Sequence, residues 1–284
     1  MRLKSLVSLR NETQGIIEKY KANFKIHEFE DREELRFFLE RAEGANCENM
    51  PKLRETLLIA ATDESIAFGK EWSIATIGYL NPQISGQSLS GVEYLIEGFE
   101  EVEASILEKA YQRFHHIPWT IAETERCIIR ELALEDIDAL FELYRDEELT
   151  KYTEPLFDYE EEMEYQRAYI NNMYRFFGYG TWLVFLKDTG ELIGRAGLEH
   201  REYHGEIELE LGYLIGTKYQ RKGYAKEVCK AILEFAKEEI DMPRLNCLIE
   251  EGNTPSIKLA ESLGFSYMET DTSQNRNMLR FVRK

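Results

Sequence analysis

The run Glu208 to Glu227, ELELGYLIGTKYQRKGYAKE, carries residue types suited to holding an anion. Its apolar part reads as a strand ending in a turn, and Gly223 opens a helix. First-turn N–H groups of a helix have no internal partners and, with the helix dipole, favour negative charge. Gly223 and the small Ala225 let a phosphate come close, and Arg221 and Lys222 add cationic character, so a pyrophosphate would fit. A plain strand-to-helix turn with a surface basic pair would use the same residues. A second stretch, Glu250 to Phe265 (EEGNTPSIKLAESLGF), reads as a helix capped by Asn253 or Thr254, with Pro255 in its first turn and Gly264 at its end. Taken with this helix alone, Asn253 is a cap and Ser256 a first-turn polar residue. Glu206, Glu208 and Glu210 alternate along the preceding strand, so all three could line one solvated face.

The elements that position these residues fall into two blocks. In the first, helical stretches around Thr13 to Asn23 and Glu33 to Ala45 flank a strand-like run, Phe24 to Phe29. Leu57 to Ala61 and Ser73 to Tyr79 follow as short apolar runs of the kind seen in doubly covered parallel strands, with a helical stretch, Ile66 to Glu71, between them. A loop, Asn81 to Gly91, leads to Tyr94 to Ile96 and then to Phe99, Val102 and Leu107 at helical spacing. This order is half of a parallel doubly wound sheet. The segment Lys109 to Glu125 contains Pro118 and no long hydrophobic period, which puts a junction there and predicts domains over 1–118 and 119–284. The second block reads as strand, two helices (Glu135 to Arg145 and Tyr159 to Phe176), three strands joined by short turns, a long helix (Tyr224 to Glu239), strand, helix and two final strands. Short turns imply antiparallel pairs and the late helices a parallel portion, so the second sheet is mixed.

Composition narrows the function. The 284 residues carry 53 acidic and 35 basic side chains, a formal charge of −18, which repels nucleic-acid phosphates and anionic lipid surfaces. No apolar run reaches the roughly 18 residues of a membrane span, and the start, MRLKSLVSLRNE, is too short and polar for a secretory signal. The expectation is a cytoplasmic protein with neither nucleic acid nor membrane as partner. Cys47, Cys127, Cys229 and Cys247 are widely spaced, which implies free thiols and no structural zinc.

The two stretches, at this spacing and in this element order, resemble the GNAT superfamily of acyl-coenzyme A dependent N-acyltransferases, and within it the ribosomal-protein alanine N-acetyltransferase branch. The resemblance covers about 124–284 and implies an α/β architecture, a partial Rossmann-like parallel domain followed by a mixed GNAT-type sheet. It implies acetyl-CoA as cosubstrate, no metal, and direct transfer of acetyl to an amine. By that similarity Gln220, Arg221, Lys222, Gly223, Tyr224 and Ala225 match the pyrophosphate-binding turn. Tyr213, Leu214 and Ile215 match the strand that pairs with the pantetheine arm in a splayed gap, and an N–H near Leu214 would polarise the thioester carbonyl. Asn253 matches a pantetheine-binding position, Ser256 a hydroxyl near the thioester sulfur, and Glu210 a carboxylate that deprotonates the amine, usually through water. Tyr267 competes with Ser256 as proton donor. Glu160, Glu161, Glu162 and Glu164, with Glu206 and Glu208, suggest an acidic acceptor cleft, although helix-dipole complementarity alone would put glutamates at a helix start. Trp182, Tyr152, Phe157 and Tyr179 could add cation–π contacts. The acceptor is an amine-bearing small molecule or a protein N-terminus, and a free sheet edge makes a homodimer plausible. The alternatives are a non-catalytic coenzyme A binding module and, after it, a residual magnesium-dependent phosphatase in the N-terminal domain.

Leu57 to Leu107 resembles the C-terminal half of the haloacid dehalogenase core, in which Asp63 would match a magnesium-holding acid. The family's Asp-x-Asp-x-Thr nucleophile motif is absent. Phosphoryl transfer needs that nucleophile as well as the metal, so Asp63 is expected to be a turn or cap residue in a domain kept for docking, dimerisation or acceptor presentation.

Overall fold

The computed structural model describes residues 2–44, 52–240, 244–272 and 277–284; Cys47 and the predicted helix end at Ala45 lie outside them. The chain divides into two compact units, Met1–Ile117 and Pro118–Lys284.

The first unit is built on β1 (Ser5–Leu9), β2 (Lys25–Phe29), β3 (Thr56–Ala60), β4 (Ala75–Tyr79) and β5 (Leu95–Ile96), all parallel in the order β2-β1-β3-β4-β5. Between them run α1 (Arg10–Thr13), α2 (Arg32–Gly44) and α3 (Asp63–Glu71), and α4 (Ala104–Phe114) follows β5. Successive side chains alternate between two cores: Leu6, Leu57 and Ile59 join α4's Leu107 and Tyr111 on one face, while Val7, Leu58 and Ala60 join Leu35, Leu39 and Phe68 from α2 and α3 on the other. The sheet is thus a complete five-stranded one, where the sequence reading found only half. The strand it missed is β1, between β2 and β3, whose serines, Ser5 and Ser8, interrupt the apolar run yet are fully buried. The predicted helix over Thr13 to Asn23 is instead a single 3₁₀ turn, Ile16–Tyr20. Helix α4 also continues to Phe114 through residues read as junction, and a strand begins at Thr120, so the connecting segment is short. Glu12 occupies the carboxyl end of this sheet: its buried carboxylate accepts from Ala61 N (2.6 Å), Thr62 Oγ1 (2.7 Å) and Ser65 Oγ (2.6 Å). Asp63 is an exposed first-turn residue of α3 whose Oδ2 accepts from Ser88 N (3.2 Å).

The second unit holds an eight-stranded sheet. Its strands are β6 (Thr120–Glu123), β7 (Cys127–Arg130), β8 (Thr181–Leu186), β9 (Leu192–Tyr203), β10 (Glu206–Ile215), β11 (Leu245–Glu250), β12 (Ser266–Asp271) and β13 (Met278–Arg283), in the order β12-β13-β11-β10-β9-β8-β7-β6. Helices α5 (Ile137–Tyr144), α6 (Tyr159–Tyr169) and α7 (Arg175–Phe177), the last two joined by a π turn, precede β8; α8 (Tyr224–Phe235) and α9 (Thr254–Ser262) flank β11. Strands β9 and β10 are joined by His204 and Gly205, both at positive φ, a two-residue turn whose twist suits a hairpin. It fixes ten consecutive pairs, from Glu206 opposite Tyr203 to Ile215 opposite Gly194. The sheet is mixed because one pair, β10 with β11, is parallel, and among the described residues that ladder has two rungs, Leu209 with Leu245 and Glu210 with Asn246. Beyond Glu210 the two strands part. Among the described residues no helix is long and apolar enough to cross a membrane.

Candidate active site

The parting of β10 and β11 opens a cleft of about 680 Å³. Its walls are Tyr213, Leu214 and Ile215 at the end of β10, the turn from Gln220 to Ala225, Asn253 and Ser256 at the start of α9, and Leu149, Lys151 and Tyr152. Gly223 caps α8 with φ +88°, and Arg221 also has a positive φ. The turn therefore aims the free first-turn N–H groups of a twelve-residue helix into the cleft mouth. A Cβ on Gly223 would meet only Arg126 Nη2, at 3.5 Å, so glycine is required there by conformation and by what must approach from outside.

Not every residue of the predicted turn contributes in the same way. Arg221 lines the cleft, whereas Lys222 does not: its Nζ lies 5.5 Å from the ring centroid of Tyr219 and its carbonyl accepts from Arg126 Nη1 at 3.1 Å. Gln220 lines the cleft but spends its Nε2 on Ile215 O (2.9 Å), tying the turn to the strand before it. Arg126, from the start of β7, braces the turn from outside through an ion pair with Glu227 (2.6 Å) and a stacking contact on Tyr224 (4.0 Å to the centroid). Burial would raise the Glu227 carboxyl, but hydrogen bonds from Thr124 and Arg126 outweigh it and hold the group below its ordinary value. Nothing local marks Arg126, because its partner lies about a hundred positions away. Asn253 caps α9 by accepting from Ser256 N (3.4 Å), which leaves its Nδ2 donors for the cleft. Tyr213 donates to Ser256 O across the gap at 3.1 Å, so one phenol ties β10 to the start of α9.

Glu210 stands on the last rung before the strands part, facing Glu199 on β9. Its Oε2 accepts from Tyr203 Oη at 2.9 Å and pairs with Arg201 Nε at 3.3 Å, while Oε1 has no partner among the described residues. Burial pushes its carboxyl above the ordinary value; Arg201 and Tyr203 oppose the rise and Glu199 adds to it. Glu206, Glu208 and Glu210 share a face, but that face is not solvated at Glu208, which is 8% exposed. Its carboxylate accepts from Arg244 (2.8 Å), Arg280 (2.7 Å) and Asn246 (2.6 Å). Those hydrogen bonds overcome the opposing effect of burial and lower its titration. Glu208 is therefore charge-compensated by arginines, and Glu162 is buried, accepting from Gln166 and Phe157 N; neither lines the cleft. Trp182 lies fully buried against Phe235 and cannot reach an acceptor. Tyr267 is 57% exposed and bonds Thr270. On the face shared with Glu210, Arg195 sits opposite Leu214; among the described residues its guanidinium makes a long contact to Tyr144 Oη (3.4 Å) and its Nε has no partner. Among the described residues no cluster of His, Cys, Asp or Glu is placed to hold a metal ion.

A coenzyme A thioester fits this chemistry, with free N–H donors and a cation at one end of the cleft and the unpaired backbone edge of β10 along it. A split between two parallel strands of a mixed sheet, beside an anion-binding helix start, suits an acyl-carrier-dependent transferase. An acetyltransferase (GNAT) domain matches residues 126–266. The chain is 31% identical to the "uncharacterized N-acetyltransferase p20" of Bacillus licheniformis over 144 residues, which span 50% of this chain and 80% of that protein. A relative in Bacillus subtilis, the "uncharacterized N-acetyltransferase YnaD", is 31% identical over 147 residues, 50% of this chain and 79% of its own. The fold matches that of the ribosomal-protein-S5-alanine acetyltransferase of Vibrio fischeri with a TM-score of 0.51 at 14% identity, over 57% of this chain and 94% of that one. The chain belongs to the GNAT family of acetyltransferases. It is an acetyl-CoA dependent enzyme.

Proposed function

We propose that the enzyme transfers acetyl from acetyl-CoA directly to a primary amine, with Glu210 as the general base. The observation that carries this reading is the coincidence, at one rung, of the end of the β10–β11 ladder and a half-buried carboxylate with a free oxygen. The incoming ammonium gives a proton, through water, to Glu210 Oε1. The lone pair of the amine so formed then attacks the thioester carbonyl; the C–N bond forms, the C–S bond breaks, and the thiolate takes up the second proton, which the nitrogen gives up on becoming an amide. Backbone N–H groups near Leu214 polarise the carbonyl, and Ser256, at the cleft wall, donates a hydrogen bond to sulfur. The turn from Gln220 to Ala225 holds the pyrophosphate and Asn253 the pantetheine.

The underused guanidinium of Arg195 favours an acceptor with a carbonyl oxygen beside its amine, as a protein N-terminus has, over a polyamine. Thiol release from acetyl-CoA is the test, across peptides starting with alanine or serine, spermidine, an aminoglycoside and free amino acids, with a no-amine control. Peptide-dependent release is expected, falling about 100-fold in Glu210→Gln. Release with spermidine alone overturns the acceptor assignment. Full turnover in Glu210→Gln overturns the base.

A further inference from the structure

We propose that Tyr203 is the positioning residue that presents Glu210 with Oε1 free, and that buried Arg280 in turn positions Tyr203. The inference rests on the reading of Glu210 as the base and adds what holds it in place. Glu210 stands where β11, still paired with β13, parts from β10, so β11 supplies no backbone rung to β10 beyond Glu210. Its two donors both come from β9 and both take Oε2. Of these Arg201 is the looser, 3.3 Å away with a side chain 47% exposed. Tyr203 makes the shorter contact and is itself constrained. It sits at the mouth of the β9–β10 hairpin, and the guanidinium of Arg280 lies 4.0 Å from its ring centroid.

Arg280 is 1% exposed and is held by acceptors on three other strands: Glu208 Oε2 on β10 (2.7 Å), Asn246 Oδ1 on β11 (2.9 Å) and Glu269 Oε1 on β12 (2.6 Å). A planar fork bonded at all three of its nitrogens is held against turning, and so fixes the ring stacked on it. The cation also draws on the phenol, opposing the rise that burial imposes on the Tyr203 hydroxyl and strengthening it as a donor. The charged and titratable groups that face Glu210 are Arg201, Tyr203 and Glu199 from β9 and Cys247 from β11, with Glu208 and Arg280 behind Tyr203. Removal of the phenolic hydroxyl alone takes away a donor to the charged carboxylate and leaves the ring and the arginine cluster in place.

The test is a pH titration of side-chain carboxyl carbons by ¹³C NMR on the full chain labelled at glutamate, with Glu210 assigned by its absence in Glu210→Gln. In Tyr203→Phe the Glu210 midpoint is expected to rise by about one pH unit. Arg280→Lys, which keeps the charge but loses the fork, is expected to raise it in the same direction, and the double variant to add nothing to Tyr203→Phe. An unchanged midpoint in Tyr203→Phe, or shifts that add in the double variant, overturns the proposal. Should Tyr203→Phe lose its fold, an unchanged midpoint in Arg280→Lys overturns it instead. The titration needs no acceptor, so its failure is separate from failure of Glu210 as base, which turnover by Glu210→Gln alone reports.

Discussion

Gly223→Glu is expected to abolish acetyl-CoA binding, raising Kd about 1000-fold, while the fold survives. The backbone at this position has φ +88°, so a side chain costs about 1 kcal/mol in strain. Space is not the obstacle, since a Cβ touches only Arg126 Nη2 at ordinary contact distance. The loss comes from a carboxylate standing where the free N–H groups of α8 would meet a pyrophosphate. Like charges so placed cost several kcal/mol, and each 1.4 kcal/mol is tenfold in Kd. Isothermal titration with acetyl-CoA, beside a thermal melt, separates the two effects. Unimpaired binding would move the phosphate site away from this turn. Gly223→Ala, with the strain and no charge, is expected to lose about tenfold at most.

Arg280→Met should cost about 3–5 kcal/mol of stability, because it takes from the Glu208 carboxylate its buried counter-charge and from the Asn246 amide oxygen its donor. Glu208 keeps only Arg244, whose side chain is 42% exposed, and Asn246. The pH dependence carries the same information. The lowered titration of Glu208 gives stability that is fully present above its unfolded value of about 4.5 and is lost as pH falls through the folded value. Without the arginine, burial dominates and the folded value moves upward. The gap between wild type and variant should therefore be widest near neutrality and narrow in acid. Urea unfolding at pH 7 and pH 4 measures it, and equal gaps at both would mean that the cluster does not depend on the charge of Glu208.

What could be read from the sequence was what is local in it. The strand over Glu206 to Ile215, the helix start at Gly223 and the cap at Asn253 each lie within a few residues of their own signals, and the structure has them there. The common face of Glu206, Glu208 and Glu210 followed from the two-residue repeat of a strand. What that face meets did not, because Arg244, Asn246 and Arg280 arrive from strands far along the chain. Arg126 escaped notice for the same reason, as did the contact of Tyr203 with Arg280. Trp182 was misjudged because an aromatic residue's type does not say which side of a strand it occupies; the side facing Phe235 is dry. Strand β1 was lost to two serines whose burial only the five-stranded sheet explains: Ser8 shares its hydroxyl with Thr13 at 2.8 Å.

The two-rung ladder between β10 and β11 has a thermodynamic side. A sheet that stops pairing at Glu210 leaves the residues from Leu211 to Ile215 with an edge facing β11 that has no backbone neighbour. In the proposed binding mode, an amide-bearing arm laid along that edge would do the work of an absent strand. Enzyme and cosubstrate would then be one β-structure divided between two molecules, and stability would depend on cosubstrate concentration, rising by about 2.7 kcal/mol at a hundredfold excess over Kd. On that reading the free enzyme is an incomplete sheet, which each catalytic cycle would complete and take apart again.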